Sequence, residues 1–280
     1  MKNILITGCS SGIGFTAAQI LHQRGFNVIA TVRNADDKTR LEQTGLTVTL
    51  LDLNNENSIS QAFQFTLDTF NGRIDALFNN AAYGQPGAVE DLSRSALREQ
   101  FETNVFGTQQ LTNLVIKQMR QQGHGRIIYN SSVLGFIALA YRGAYNASKY
   151  AIEGLADTLR LELHGSGIHI SLIEPGPILS HFRANAFAKY QQNIDKHNSA
   201  HHQVYEAMEA RLNKQGPTAP FTLPPEAVVA KLLHALQAKK PSIRYYVTFP
   251  TYLFAILKRI LPVNALDWVL RKVSDNEKRS

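Results

Sequence analysis

The sequence is short of several things, and each shortage removes a class of protein. It has one cysteine, Cys9, in 280 residues; this excludes an intramolecular disulfide and any cysteine-rich zinc site, and fits a reducing, cytoplasmic setting. No run approaches the ~20 apolar residues of a membrane span. The apolar stretch from Met1 to Thr7 meets Gly8 at once and is too short for a secretory core. Charged residues make up 18% against 44% hydrophobic, the balance of a globular rather than a disordered chain. The net charge of +7 is scattered, with Lys239-Lys240, Lys258-Arg259, Arg271-Lys272 and Lys278-Arg279 as separate pairs. No long basic run or basic-aromatic interleaving exists, which argues against nucleic acid as a partner. Repeats of solenoid period and low-complexity linkers are missing too, so the length reads as one continuous domain.

What is present alternates. Apolar runs at Asn3–Ile6, Asn27–Val32, Thr47–Leu51, Ile74–Phe78, Gly125–Asn130 and His169–Ile173 predict strands, and helical spacing recurs between them over Phe15–Arg24, Glu56–Phe70, Ser93–Gln121 and Tyr145–Leu163. That alternation predicts an α/β fold, a doubly wound parallel sheet of the Rossmann type with helices on both faces. In such sheets the ligand lies at the carboxyl ends of the strands. The residues that stand out sit there: Gly8, Arg33, Asp52, Asn79, Ser132 and Pro175.

The first strand runs into Thr7-Gly8-Cys9-Ser10-Ser11-Gly12-Ile13-Gly14 and then a helix. Glycines let backbone approach a pyrophosphate, and the helix N-terminus offers it free N–H groups and partial positive charge. The second strand ends in Arg33 where an NAD-specific fold places an acidic residue for the ribose 2′-hydroxyl; a guanidinium suits a 2′-phosphate, so the expectation is NADP(H). The hydroxyls of Ser10 and Ser11 can add to the same phosphate. Asp36 and Asp37, at a polar helix start, read as capping residues. Asp52 either receives the adenine amino group or caps the following turn. Asn79-Asn80-Ala81-Ala82 suits a close backbone approach or an ordinary turn, and Asn104, on an apolar helical face, needs a specific partner. Tyr145 and Lys149 are four positions apart and share a helical face. A phenol titrates near pH ~10, and an ammonium beside it favours the tyrosinate; alone, the pair also reads as a solvated surface pair.

Jointly, Thr7-Gly8-x-x-x-Gly12-x-Gly14, Asn79-Asn80-Ala81, Asn104, Ser132, Tyr145-x-x-x-Lys149 and Pro175-Gly176 make the chain resemble the short-chain dehydrogenase/reductase family over residues 3 to 185 and beyond. Ala82 stands where the family commonly has glycine, and Ser180 where a threonine often follows Pro-Gly. Within the family it is most similar to the branch of bacterial NADP-dependent aldehyde reductases, retinol dehydrogenases and 17β-hydroxysteroid dehydrogenases. The resemblance implies that Tyr145 is the general acid toward a carbonyl oxygen and that Ser132 hydrogen-bonds the same oxygen. It implies that Lys149 holds the nicotinamide ribose and lowers the Tyr145 pKa, and that Asn104 fixes a water relaying protons to Lys149. It also places Gly8, Ser10, Ser11, Gly12, Ile13, Gly14, Arg33, Asp52, Leu53, Asn80, Ala81, Tyr145, Lys149, Pro175 and Gly176 against the cofactor. No metal is required.

Residues 1–178 are thus expected to form the cofactor-binding and catalytic core, 179–223 a mobile helical lid over the substrate cleft, and 224–280 the last helices and a strand near Tyr245–Thr248. His197, His201 and His202 crowd within the lid, with metal-like spacing for the first two, but no third ligand set closes a site, so a solvated histidine-bearing helix is expected. Pro250 to Val273 is apolar and aromatic, interrupted by Pro262, and carries Lys258, Arg259, Arg271 and Lys272. It is expected to pack against the core or in a homo-oligomer, with peripheral contact at an anionic membrane surface as a second reading. The expected activity is interconversion of a hydrophobic aldehyde or ketone and its alcohol. A non-catalytic NADP-binding protein is the reading of a different class, and it requires a broken catalytic set.

Overall fold

Apolar runs with no polar alternation form strands buried on both faces. In the computed structural model, which describes residues 2–213, 216 and 219–278, β1 (Asn3–Ile6) is buried along its whole length. It pairs in parallel with β2 (Asn27–Val32) and β4 (Ala76–Asn79). β3 (Thr47–Leu50) flanks β2, and β5 (Gly125–Asn130), β6 (Ile168–Glu174) and β7 (Arg244–Tyr246) extend the other side. Among the described residues the sheet has seven strands, all parallel, in the order β3-β2-β1-β4-β5-β6-β7. The order reverses between β1 and β4, and that switch point opens a crevice at the strands' carboxyl ends.

Side chains alternate across the sheet. Ile4 and Ile6 of β1 join Ala17, Ala18 and Leu21 of α1 (Gly12–Gln23) and Val228 and Leu232 of α9 (Glu226–Gln237) in one core. Leu5, between them, joins Leu111 and Val115 of α5 (Thr108–Gln122) and Ile152 of α6 (Gly143–Glu162) in the other. Each such leucine or isoleucine contributes ~1.5–3 kcal/mol when fully buried. The remaining helices close the two faces: α2 (Ala35–Glu42) and α3 (Glu56–Thr69), begun by the side-chain caps of Asn34 and Asn55, and α4 (Arg94–Phe101), begun by that of Ser93. Asn34, rather than Asp36 or Asp37, is the cap of α2, because its side-chain Oδ1 accepts from the Asp37 amide at 2.8 Å.

Three expectations are corrected. The helix expected over Ser93–Gln121 is α4 and α5 joined by a π-helical segment, Glu102–Gly107. The last strand stops at Tyr246, and Thr248 begins α10 (Phe249–Ile260). His197 lies in a 3-10 turn, Lys196–Asn198, while His201 precedes α8 (His202–Asn213), so the two share no helix. The lid range also contains α7 (Phe182–Asn193). Its residues 214, 215, 217 and 218, and Arg279 of the last basic pair, lie outside the described residues. The apolar C-terminal segment forms α10 and α11 (Val263–Lys278) on either side of Pro262. Their inner faces pack Phe254, Leu257, Val269 and Val273 against Leu134 and Ile137. Among the described residues no helix is long and apolar enough to cross a membrane.

Candidate active site

The turn after β1 is shaped by contacts that leave no room for side chains. Gly8 is at φ +72°, and a Cβ there would stand 2.8 Å from the Ala81 Cα. At Gly14 a Cβ would meet the Gly8 carbonyl at 2.1 Å. Thr7 and Asn80 lock the turn to β4: the Thr7 hydroxyl accepts from the amides of Asn80 and Ala81, each at 2.9 Å, and Asn80 Nδ2 donates to the carbonyls of Thr7 and Gly8. Asn130 at the end of β5 donates to Asn80 Oδ1 at 2.9 Å. Asn80 is therefore a tether holding the glycine turn, β4 and β5 in one piece. Ser11 makes no side-chain cap on α1, and Ser10, Ser11, Gly12 and Ile13 line a cleft of about 690 Å³ that runs along the strand ends.

Along that cleft, Arg33 is exposed at the end of β2. A second guanidinium, unmarked by any motif, stands beside it. Arg40 donates to the Ser10 carbonyl at 2.6 Å and pairs with Asp37 at 2.5 Å, which holds the Asp37 carboxyl below its ordinary range. Asp52 Oδ1 accepts from the Asn54 amide at 3.0 Å, so it caps its own turn while lining the cleft. Leu53 lines it as well, though its side chain is 5% exposed and belongs to the core.

The other end of the cleft carries the proton-active groups. Ser132, 8% exposed, caps the short turn Val133–Gly135, its Oγ accepting from the Leu134 amide at 3.1 Å, and lies beside the Tyr145 phenol. Tyr145 enters on the first turn of α6, where Gly143 fits because a Cβ there would stand 2.3 Å from Val89. Burial pushes the phenol up to about 12, opposed by the Ser132 hydrogen bond and by the charge of Arg142. Lys149, 5% exposed, has its amine 5.7 Å from the centre of the Tyr145 ring and donates to the Asn130 carbonyl at 2.7 Å. Burial lowers it to about 8, and Glu153 opposes that shift. The downward pull on Tyr145 thus comes from Ser132 and Arg142, where the motif alone points to Lys149. Asn104 lies within the π segment. Its Nδ2 donates to Ser148 Oγ and the Tyr83 carbonyl, each at 3.0 Å, and its Oδ1 accepts from the Tyr83 amide at 3.1 Å. It ties the loop after β4 to α6 one residue before Lys149. π turns of this kind concentrate at functional sites. At the end of β6, Pro175 accepts from the Val133 amide at 2.8 Å. Gly176 leaves space for Thr248, whose Oγ1 would lie 2.1 Å from a Cβ.

Helices α7 and α8 cover this end. Phe182 sets its ring edge-on to Tyr145, 5.2 Å between centres, and Gly84 makes room for it. The cover is fastened at several points. Lys189 pairs with Glu99, and Asn193 donates to Gln85 at 2.7 Å. His201 meets Glu90 and Tyr141, and Ser199 and Tyr205 both donate to Asp91. Among the described residues no group of three His, Cys, Asp or Glu is placed to hold a metal ion. Phe182, Tyr83, Arg142 and Arg40 are not marked by the sequence: Tyr83 and Arg142 lie on loops and Phe182 in the lid, whose paths no periodicity encodes, and Arg40 reaches the glycine turn by the length of its side chain from α2.

A family model described as short chain dehydrogenase matches residues 2–191. The chain is 42% identical over 270 residues to the uncharacterized oxidoreductase YbbO of Escherichia coli (strain K12), covering 96% of this chain and 94% of that one. It is 32% identical over 260 residues to human 17-beta-hydroxysteroid dehydrogenase type 1, covering 88% and 77%. A crystal structure of a short-chain dehydrogenase from Streptomyces avermitilis superposes with a TM-score of 0.74 at 25% identity, covering 99% of this chain and 97% of that one. With its switch-point cleft, its glycine turn and this kinship over nearly its whole length, the chain belongs to the short-chain dehydrogenase family of oxidoreductases.

Proposed function

We propose that the protein interconverts hydrophobic aldehydes or ketones and their alcohols by hydride transfer, with NADP(H) as cofactor and Tyr145 as general acid and base. The observation that carries this reading is the Tyr145 phenol with the Ser132 hydroxyl beside it in a cleft that also holds the Lys149 amine, 5.7 Å from the Tyr145 ring centre. The cofactor fits the strand ends: a glycine cradle that any Cβ would fill, an uncapped α1 N-terminus, and Arg33 with no acidic side chain in its place. When bound, NADP(H) supplies or accepts the hydride, and the protein contributes position and proton transfer.

Ser132 and Tyr145 line the same cleft and together offer two hydroxyls to a carbonyl oxygen, stabilising its developing negative charge. Tyr145 delivers its proton to that oxygen in reduction and removes it in oxidation. Burial holds its phenol high and Ser132 and Arg142 draw it down; a charged Lys149 amine, 5.7 Å from the ring centre, would add to that pull toward neutrality. Asn104 positions Tyr83 and α6, and so the height of Lys149 in the site. Phe182 and the apolar lid exclude water above Tyr145 and favour a hydrophobic substrate. Retinol or steroid alcohols are the alternative within the same chemistry, supported by the hydroxysteroid dehydrogenase relative. A non-catalytic NADP-binding protein would need a disrupted Ser132, Tyr145, Lys149 set, and all three are in place.

The test is NADPH consumption against a panel of aliphatic, aromatic, retinoid and steroid carbonyls. Turnover of at least one is expected, and Tyr145→Phe lowers it by ~100-fold or more while NADPH still binds. An intact protein that binds NADPH and turns over no carbonyl would refute the reading.

A further inference from the structure

Behind Lys149, on the side away from the cleft, a buried ionic cluster plays no part in the chemistry above. Arg244, the first residue of β7, reaches Glu174 at the end of β6 (Nε to Oε1, 2.9 Å) and Glu153 on α6 (Nη2 to Oε2, 2.8 Å). It also forks onto Asp157, one turn further along α6, at 3.0 and 3.1 Å. Glu174 is wholly buried and Glu153 is 7% exposed. One guanidinium cannot neutralise three carboxylates, and unpaired negative charge is costly in such surroundings. The other groups facing the cluster are the Ser131 hydroxyl on Glu153, Tyr246 on β7, Arg259 on α10, and Arg160, which pairs with Asp157 at 3.4 Å. Burial raises both glutamates, Glu174 to about 8, with the neighbouring Glu153 charge adding to it. Near neutrality the two hold one proton between them.

Glu153 is four residues after Lys149, one helical turn away, and both are buried. The Lys149 amine donates to the neutral Asn130 carbonyl, and Glu153 is the carboxylate that favours its charged form. We propose that Glu153 is a positioning residue acting through Lys149: it supplies the counter-charge that keeps the amine protonated beside Tyr145, and Glu174, coupled to it through Arg244, sets how much of that charge is present. The inference rests on the role given to Lys149 in the proposed reaction.

The test follows the Lys149 amine directly, by NMR of the full-length protein labelled with 15N-lysine, with Lys149→Arg assigning the signal. In Glu153→Gln the titration midpoint of the amine falls by roughly one pH unit or more. In Glu174→Gln it rises, because the carboxylate whose charge disfavours ionisation of Glu153 is gone, and Glu153, no longer sharing a proton with it, stays ionised. The alkaline limit of NADPH binding, read from NADPH fluorescence, moves in the same two directions. Opposite shifts cannot come from general loosening, which thermal melts of both variants monitor. An unchanged midpoint in folded Glu153→Gln overturns the proposal. Should that variant not fold, Glu174→Gln decides alone, an upward shift supporting the proposal and no shift or a downward one overturning it. A wild-type protein that does not bind NADPH would sink the cofactor reading, and the NMR midpoints would still decide this one.

Discussion

At the scale of one side chain, the proposed preference for NADP(H) rests on Arg33. It is exposed and adds little to folding, and on the proposed reading it pairs with a phosphate dianion. Arg33→Ala should weaken NADPH binding by ~10-fold or more and leave NADH nearly unchanged, measured by titrating both; equal losses would refute the assignment. Single residues were also where the sequence was most readable. Gly8, Gly14, Asn80, Asn104, Ser132, Tyr145 and Lys149 are marked by fixed spacing, because each must meet a backbone or a ligand at one distance. Phe182 and Arg40 have no such mark: they arrive by side-chain reach from α7 and α2, and many residues of similar size would read the same in the sequence.

At the scale of elements, the strands and their order followed from alternation and apolar runs, whereas the π segment between α4 and α5 did not. Its residues keep helical spacing to within one position, and a single extra residue per turn leaves no compositional trace. Its packing is nonetheless demanding. Gly107 lies so close to β3's outgoing loop that a Cβ would stand 1.9 Å from the Leu53 carbonyl. Gly107→Ala should destabilise the protein by at least ~1–3 kcal/mol, seen in thermal or denaturant melts, as for other forced overpacking. It should also displace Asn104, three residues earlier, and lower turnover beyond what the lost stability explains. A melt matching the wild type would contradict this packing.

At the scale of the whole molecule, the buried glutamate gives stability a direction with pH. Glu153 and Glu174 are both raised, Glu174 to about 8, so between roughly pH 5 and 8 the folded chain holds on this pair a proton that the unfolded chain has released. Folding is therefore weakened as pH rises through that window. Glu174→Gln should flatten this part of the stability curve, and denaturant midpoints at several pH values measure it; an unaltered slope would argue against a protonated Glu174. The outer surface offers a second prediction. Phe249, Tyr252, Leu253, Ile256 and Ile260 form an exposed stripe on α10, flanked by Lys258 and Arg259, with Trp268 exposed on α11. That arrangement supports peripheral contact with an anionic bilayer. Co-sedimentation with phosphatidylserine-containing vesicles, lost in Ile256→Glu and weakened by salt, is the expected result, and recovery in the supernatant at low salt would exclude it.

The ion cluster that joins α6, β6 and β7 also bears on how the chain is made. Arg244 is 91 residues downstream of Glu153 and 70 downstream of Glu174 in synthesis order. Until β7 arrives, that interior holds carboxyl groups without their guanidinium, and closing it must either recruit protons or wait. Arg244 thus reaches back from the last strand to α6 and β6, so the interior around Glu153 and Glu174 gains its guanidinium only once β7 is in the sheet.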